Sequence, residues 1–181
     1  AIALFFLMPH MTEMKQTDIR TEFGAFKNSQ VWFTVIMGVV GFGGMFSVYT
    51  YISWTMTEVA GMDQNLIWVV LMAYGIGMTI GNAFGGWLAD RNLEFGIIFA
   101  LACLIVILTA FYFLSGHAIP ATLCFGCVAF MGSTLVPSLQ LRLVHVAGDA
   151  QTLAAALNQS ALNIANAAGA TIGGAVVGAG L

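Results

Sequence analysis

Gly81-Asn82-Ala83-Phe84-Gly85-Gly86-Trp87-Leu88-Ala89-Asp90-Arg91-Asn92 decides how this chain is read. The stretch begins as the end of a long apolar run and finishes in an acid–base pair. Another apolar run follows almost at once. Water-soluble domains rarely join two such runs this way, whereas a membrane hairpin does: the helix leaves the bilayer, turns in a few polar residues and re-enters. The small residues Gly81, Ala83, Gly85 and Gly86 let a second helix approach closely. Asp90 and Arg91 then stand at the water boundary, where charge is tolerated.

Composition agrees. The chain is 60% hydrophobic and 7% charged, with a mean hydropathy of +0.93; ordinary globular domains carry about 25% charged residues. The apolar segments are near spanning length and repeat, so the chain is read as an all-α integral membrane protein. The net charge of −3 says little about partners. The placement of the charges says more.

The chain opens inside an apolar run, residues 1–8, too short to span and without the basic front and cleavage site of a signal peptide. It reads as the end of a truncated helix. Because Gly178-Ala179-Gly180-Leu181 is still apolar, the chain is expected to be a fragment cut at both ends. Residues 9–30 form a polar connection of alternating charge. A C-terminal bundle at 31–181 is then expected, with five spans at about 31–53, 66–89, 95–114, 121–141 and 151–181. Lys15, Arg20 and Lys27 precede the first span, Arg91 follows the second, and Arg142 follows the fourth. All five basic residues thus fall on one side, which the positive-inside rule makes cytoplasmic for loops 9–30, 90–94 and 142–149.

No nucleophile–base set, phosphate-binding loop or basic patch for nucleic acid is visible, so the chain is not read as an enzyme or a nucleic-acid binder, and no cofactor is expected. Cys124-Phe125-Gly126-Cys127 has the spacing of a redox or metal pair. It reads as two small residues in a membrane helix, since zinc needs two further ligands, and His117 and His145 lie on opposite sides. No metal is expected.

Polar residues within spans are more informative, because each needs a partner or water. Gln159, Asn163 and Asn166 recur at four and then three residues, on one helix face. Two readings stand for them: interhelical hydrogen bonds, about 0.6 kcal/mol each on average, and a water-filled substrate pathway whose amides meet a polar solute. Tyr49 and Tyr51, with Trp54, fit an aromatic belt or the wall of that pathway. Gly169, Gly173 and Gly174 serve helix packing or a hinge. Pro137 removes one backbone hydrogen bond and can bend the fourth span. No acid or base lies deep in any complete span, so a proton-carrying group is expected outside this chain.

Gly86-Trp87-Leu88-Ala89-Asp90-Arg91 resembles the loop signature of the major facilitator superfamily, Gly-x-Leu-Ala-Asp-Arg-x-Gly-Arg-(Arg/Lys), which that family repeats after its second and eighth helices. The preceding basic connection resembles the family's central loop, which makes this the second copy and the spans helices seven to eleven of twelve. Residues 154–170, with Asn158-Gln159-Ser160 and Asn163, look like helix eleven of the drug:proton antiporter branch, especially bacterial sugar- and drug-efflux permeases of the arabinose-efflux type. The chain departs from the pattern after Arg91, where Asn92-Leu93-Glu94-Phe95 replaces Gly and further basic residues. In the family the loop Asp faces a helix N-terminus and an Arg across the domain interface. By resemblance Gly86, Asp90 and Arg91 form a conformational latch.

The resemblance implies the C-terminal half of a twelve-helix secondary transporter in a bacterial inner membrane. It implies proton-coupled efflux of a sugar or drug-like solute by alternating access. The implied partners are the lipid bilayer, the missing N-terminal half of the same polypeptide, a small-molecule substrate and protons. The alternative is a small helical membrane module that assembles with a partner chain and transports nothing alone.

Overall fold

The computed structural model describes residue 22 and residues 24–179. The truncated helix at 1–8 and most of the connection at 9–30 lie outside them. A 3-10 turn at Ala25–Lys27 leads into helix α1, Ser29–Trp54, which continues through a π-helical turn at Thr55–Val59. A second 3-10 turn at Gln64–Leu66 opens α2, Ile67–Leu114. Helices α3, Ala118–Ala147, and α4, Gln151–Gly178, follow. Among the described residues there is no strand. All four helices are long and apolar enough to cross a membrane, as backbone in lipid requires.

The turn at 90–94 does not open into a loop: two helical arms of α2 meet there across a kink. Only Asn92 leaves helical backbone (φ −156°, ψ 93°). Its side chain caps the next segment by accepting the Phe95 N–H at 3.1 Å, the bond an N-cap Asn makes to the third helical residue. The chain reverses there. A Cβ built on Gly96 would lie 3.0 Å from Leu88 Cγ, whereas eight residues of straight helix span about 12 Å. So α2 is a hairpin of two arms, 67–91 and 93–114, hinged on one residue.

Close packing pairs these helices in parallel. On the first arm of α2, Gly77, Gly81 and Gly85 face the backbone of Gly126, Phe130 and Thr134 on α3. At Gly81 the approach leaves no room for a side chain, and Thr134 Oγ1 donates to the Gly81 carbonyl at 3.1 Å. Along α1 and α4, Gly38 meets Ala161, Gly43 meets Gly169 and Tyr51 meets Gly173. Gly41 and Gly44 of α1 meet Leu101 and Leu108 of the second α2 arm. Three apolar layers result: Val31, Val35, Leu143 and Ala154 at one end, Phe42, Met45, Leu104 and Leu135 in the middle, and Ile52, Met56, Tyr74 and Phe125 at the other. The second arm of α2 turns Ile98, Ile105, Val106 and Phe113 outward, as suits a lipid-facing helix.

The helix ends lying towards 90–94 are tied by polar side chains. Asn28 caps α1 by accepting the Gln30 N–H and donates its amide to the Val146 carbonyl at 2.8 Å. Gly148 ends α3 at a φ of +60°, which an L side chain rarely adopts. Glu22 accepts the Leu153 N–H at 2.9 Å, supplying the cap that the first turn of α4 lacks.

Candidate functional site

Helix α4 divides its polar residues between two faces. Ala154, Asn158, Ala161, Ala165, Gly169 and Gly173 form the buried stripe. Gln159, Asn163 and Asn166 lie on the uncovered face and are exposed. Their side-chain amides have no hydrogen-bond partner among the described residues. The interhelical bonds open to them are therefore not made within this bundle. One residue decides the outcome: Asn158 goes inward and Gln159 outward.

The two tyrosines part company. Residues two apart on a helix point about 200° from each other. Tyr49 is 43% exposed, its ring 4.9 Å from that of Tyr74, which stacks on Phe125. Tyr51 turns to α4, where its hydroxyl donates to the Ala170 carbonyl at 3.0 Å. A Cβ on Gly173 would lie 2.7 Å from the Tyr51 ring, and one on Gly174 2.5 Å from its hydroxyl. A Cβ on Gly169 would lie 2.6 Å from the Gly43 carbonyl oxygen. These glycines therefore make room for α1. Tyr51 stands level with Gly173, about 10 Å along the axis from Asn166, so the tyrosines and the amides do not form one cluster.

In the hairpin, Leu88 and Ala89 are buried and Asp90 and Arg91 exposed. Gly86 has open space beside it. The Arg91 guanidinium stacks 4.3 Å over the Trp87 ring on its own helix, a cation–π contact. Asp90 has no hydrogen-bond or ion-pair partner among the described residues. Pro137 lies inside an α3 that stays helical from end to end, packed against Gly85. Having no N–H, it leaves the Ser133 carbonyl without its usual partner, and the buried Ser133 hydroxyl has no hydrogen-bond partner among the described residues either.

Sequence reasoning took Arg142 as a cytoplasmic charge and an anchor at the inner end of the fourth span, without its partners. Its Nε donates to Thr34 Oγ1 at 3.2 Å, one terminal nitrogen reaches Gln30 Oε1 at 3.5 Å, and the other stands 3.6 Å from Glu94 Oε1. One side chain of α3 thus joins α1 to the α2 hairpin. The signal for it was Glu94 itself, an acid where the resembled pattern has a base. Cys103, Cys124 and Cys127 are free, and among the described residues no group of three or more His, Cys, Asp or Glu could hold a metal.

A family model described as Major Facilitator Superfamily matches residues 1–170. "Inner membrane transport protein YdhP" of Escherichia coli K12 is 33% identical over 180 residues, covering 99% of this chain and 46% of the relative. The "Chloramphenicol resistance protein" of Streptomyces lividans is 28% identical, covering 88% and 41%. The "Probable sugar efflux transporter" of Pasteurella multocida is 25% identical, covering 97% and 44%. The chain therefore spans a little under half the length of these relatives. No solved structure matches. A helical membrane hairpin bearing Gly86, Asp90 and Arg91, a family match over nearly the whole chain and relatives named as transport proteins lead to one assignment: this multi-pass membrane chain belongs to the major facilitator superfamily.

Proposed function

We propose that this chain supplies the second half of a secondary active transporter that exports a small sugar- or drug-like solute by alternating access, driven by proton entry. One observation carries the reading: a membrane-length helix exposes Gln159, Asn163 and Asn166 with no partner in the bundle. Lipid cannot satisfy amides. That face of α4 therefore meets a water-filled pathway and its solute, with the remaining half of the polypeptide across from it. Tyr49, open at the surface, belongs to the outer end of the same pathway; Tyr51 holds α1 to α4. Relatives named for chloramphenicol resistance and for probable sugar efflux support the solute class and the direction.

In this reading the hairpin at 90–94 and the segment 142–149, the last turns of α3 with the bend after it, face the cytoplasm of a bacterial cell, with 9–30, because the basic residues gather there. Asp90, Arg91 and Gly86 form the latch that meets the other half of the transporter when the inner side closes. The proton is carried by a group outside this chain. The spans are α1, the two arms of α2, α3 and α4.

The test uses the complete polypeptide in proteoliposomes with an imposed proton gradient. Asn163→Ala and Gln159→Ala each lower export by about tenfold, the loss expected when a polar contact worth about 1.4 kcal/mol goes. Unchanged export of every transported solute in both variants removes the pathway assignment. A native gene product with a mass close to 19.2 kDa replaces the transporter by the module that assembles with a partner chain.

A further inference from the structure

We propose that Cys124 and Cys127 form a site for a divalent, thiophilic cation of the mercuric class, held between two thiolates on one turn of α3. The site stands apart from the transport reading and from the hairpin. Both thiols are free, and neither makes a hydrogen bond among the described residues. Three residues apart on a helix is a shared face, and the two are near enough to interact electrostatically. Cys127 is exposed, and Cys124 is half-buried against the layer around Tyr74 and Phe125. Leu123 beside them is exposed too, so the bundle leaves this face of α3 uncovered. The two cysteines lie about 9 and 14 Å along the axis from Ala118, where α3 starts.

Geometry and charge select the ion. Zinc takes four ligands, and among the described residues no group of three or more His, Cys, Asp or Glu could supply them. An ion that takes two ligands in line needs nothing beyond the pair. Side chains three apart on a helix have Cβ atoms about 5–6 Å apart, whereas a disulfide brings them to about 3.5–4.5 Å. Closing the pair on itself would therefore pull the turn out of shape. With a metal–thiolate bond of about 2.3 Å, a linear sulfur–metal–sulfur unit spans about 4.6 Å and does not ask for that pull. Soft sulfur selects soft metals. The ion displaces one proton from each thiol, both protons go to water, and no electron moves. Two thiolates with a divalent ion make a neutral unit. A monovalent ion would leave a net negative charge within a membrane-length helix, which is costly. Cys103, the one cysteine of α2, has no second thiol on its helix and makes no such site.

The experiment uses the complete protein in detergent, with every cysteine except Cys124 and Cys127 replaced by Ser, and mercuric chloride as the probe. This parent takes up one ion per chain, releases two protons and loses both thiols to a maleimide. A second thiol on the same turn acts at an effective concentration in the millimolar range, so against about 0.01 mM 2-mercaptoethanol Cys124→Ser and Cys127→Ser each hold the ion about a hundredfold more weakly. Cys127→Ser combined with Thr122→Cys keeps two thiols but sets them two residues apart, about 200° round the helix, and holds the ion no better than the single variants. Retention equal to the parent's in either single variant, or in the Thr122→Cys variant, overturns the site. Loss of both thiols before any ion is added, reversed by dithiothreitol, means that the pair closes as a disulfide and overturns it as well.

Discussion

Replacing Gly81 by Ala tests the helix pairing on which the bundle rests. A methyl there would lie 2.9 Å from both the Cα and the carbonyl carbon of Phe130, and closer still to the Phe130 oxygen. Carbon atoms rest at about 3.5–4.0 Å, and the obstacle is backbone, so α3 has to shift by at least about 0.5 Å along a shared face. Overpacking of this kind costs about 1–3 kcal/mol. The displaced hydrogen bond from Thr134 Oγ1 to the Gly81 carbonyl adds about 0.6 kcal/mol. Helix propensity returns up to about 1 kcal/mol. The net loss is about 1–2.5 kcal/mol, a drop of several degrees in melting temperature at about 2–4 °C per kcal/mol. The control is Gly75→Ala on the same arm, where a Cβ meets nothing within 4 Å. Thermal unfolding of the complete protein in detergent, followed by the loss of its monodisperse chromatographic peak, reads both. If Gly81→Ala melts with the parent protein and with Gly75→Ala, the close approach of α2 and α3 is wrong.

Two further outcomes follow from the helix ends. Asn92→Ala removes the cap on the second α2 arm and lowers stability by about 1 kcal/mol, while Asn92→Asp keeps it; equal melting of the two variants discards the capped hairpin. Glu22→Ala frees the first turn of α4, so amide hydrogen exchange over 151–154 speeds up by about two- to fivefold, the range of a carboxylate on a helix N-terminus. Unaltered exchange there means the connection does not dock on α4.

Much of this architecture is local and so was legible in the sequence. Apolar runs of spanning length give the helices, and Leu88-Ala89-Asp90-Arg91 goes from buried to exposed at the expected place. The shared face of Gln159, Asn163 and Asn166 followed from spacing alone, whereas the inward turn of Asn158 was not read from it. A tight turn was expected at 90–94. Asn92 makes it by reversing the chain and capping the next arm at once, a backbone property that composition does not reveal. Tyr49 and Tyr51 were grouped by type, yet their two-residue spacing already sets them on opposite sides of α1. Arg142 was out of reach for a different reason. Its partners lie 108 and 112 residues earlier on α1 and on the hairpin, and nothing local to Arg142 announces them.

The parallel pairing of α1 with α4 sets a timetable for biosynthesis. Tyr51 and the carbonyl it bonds on Ala170 are 119 residues apart, and a ribosome making about 5–20 residues per second needs roughly 6–24 s to close that gap. Throughout that interval α1 sits in the membrane with its small-residue face, around Gly38 and Gly43, uncovered by its final partner. The hairpin α2 is in a similar position, because its Gly77–Gly81–Gly85 face waits for α3 rather than for the neighbour made just before it. Insertion and assembly are therefore separate events for this chain. Helix α4 closes the seam that α1 opened, and a factor that shields glycine faces in the bilayer would act on α1 for longer than on α2 or α3.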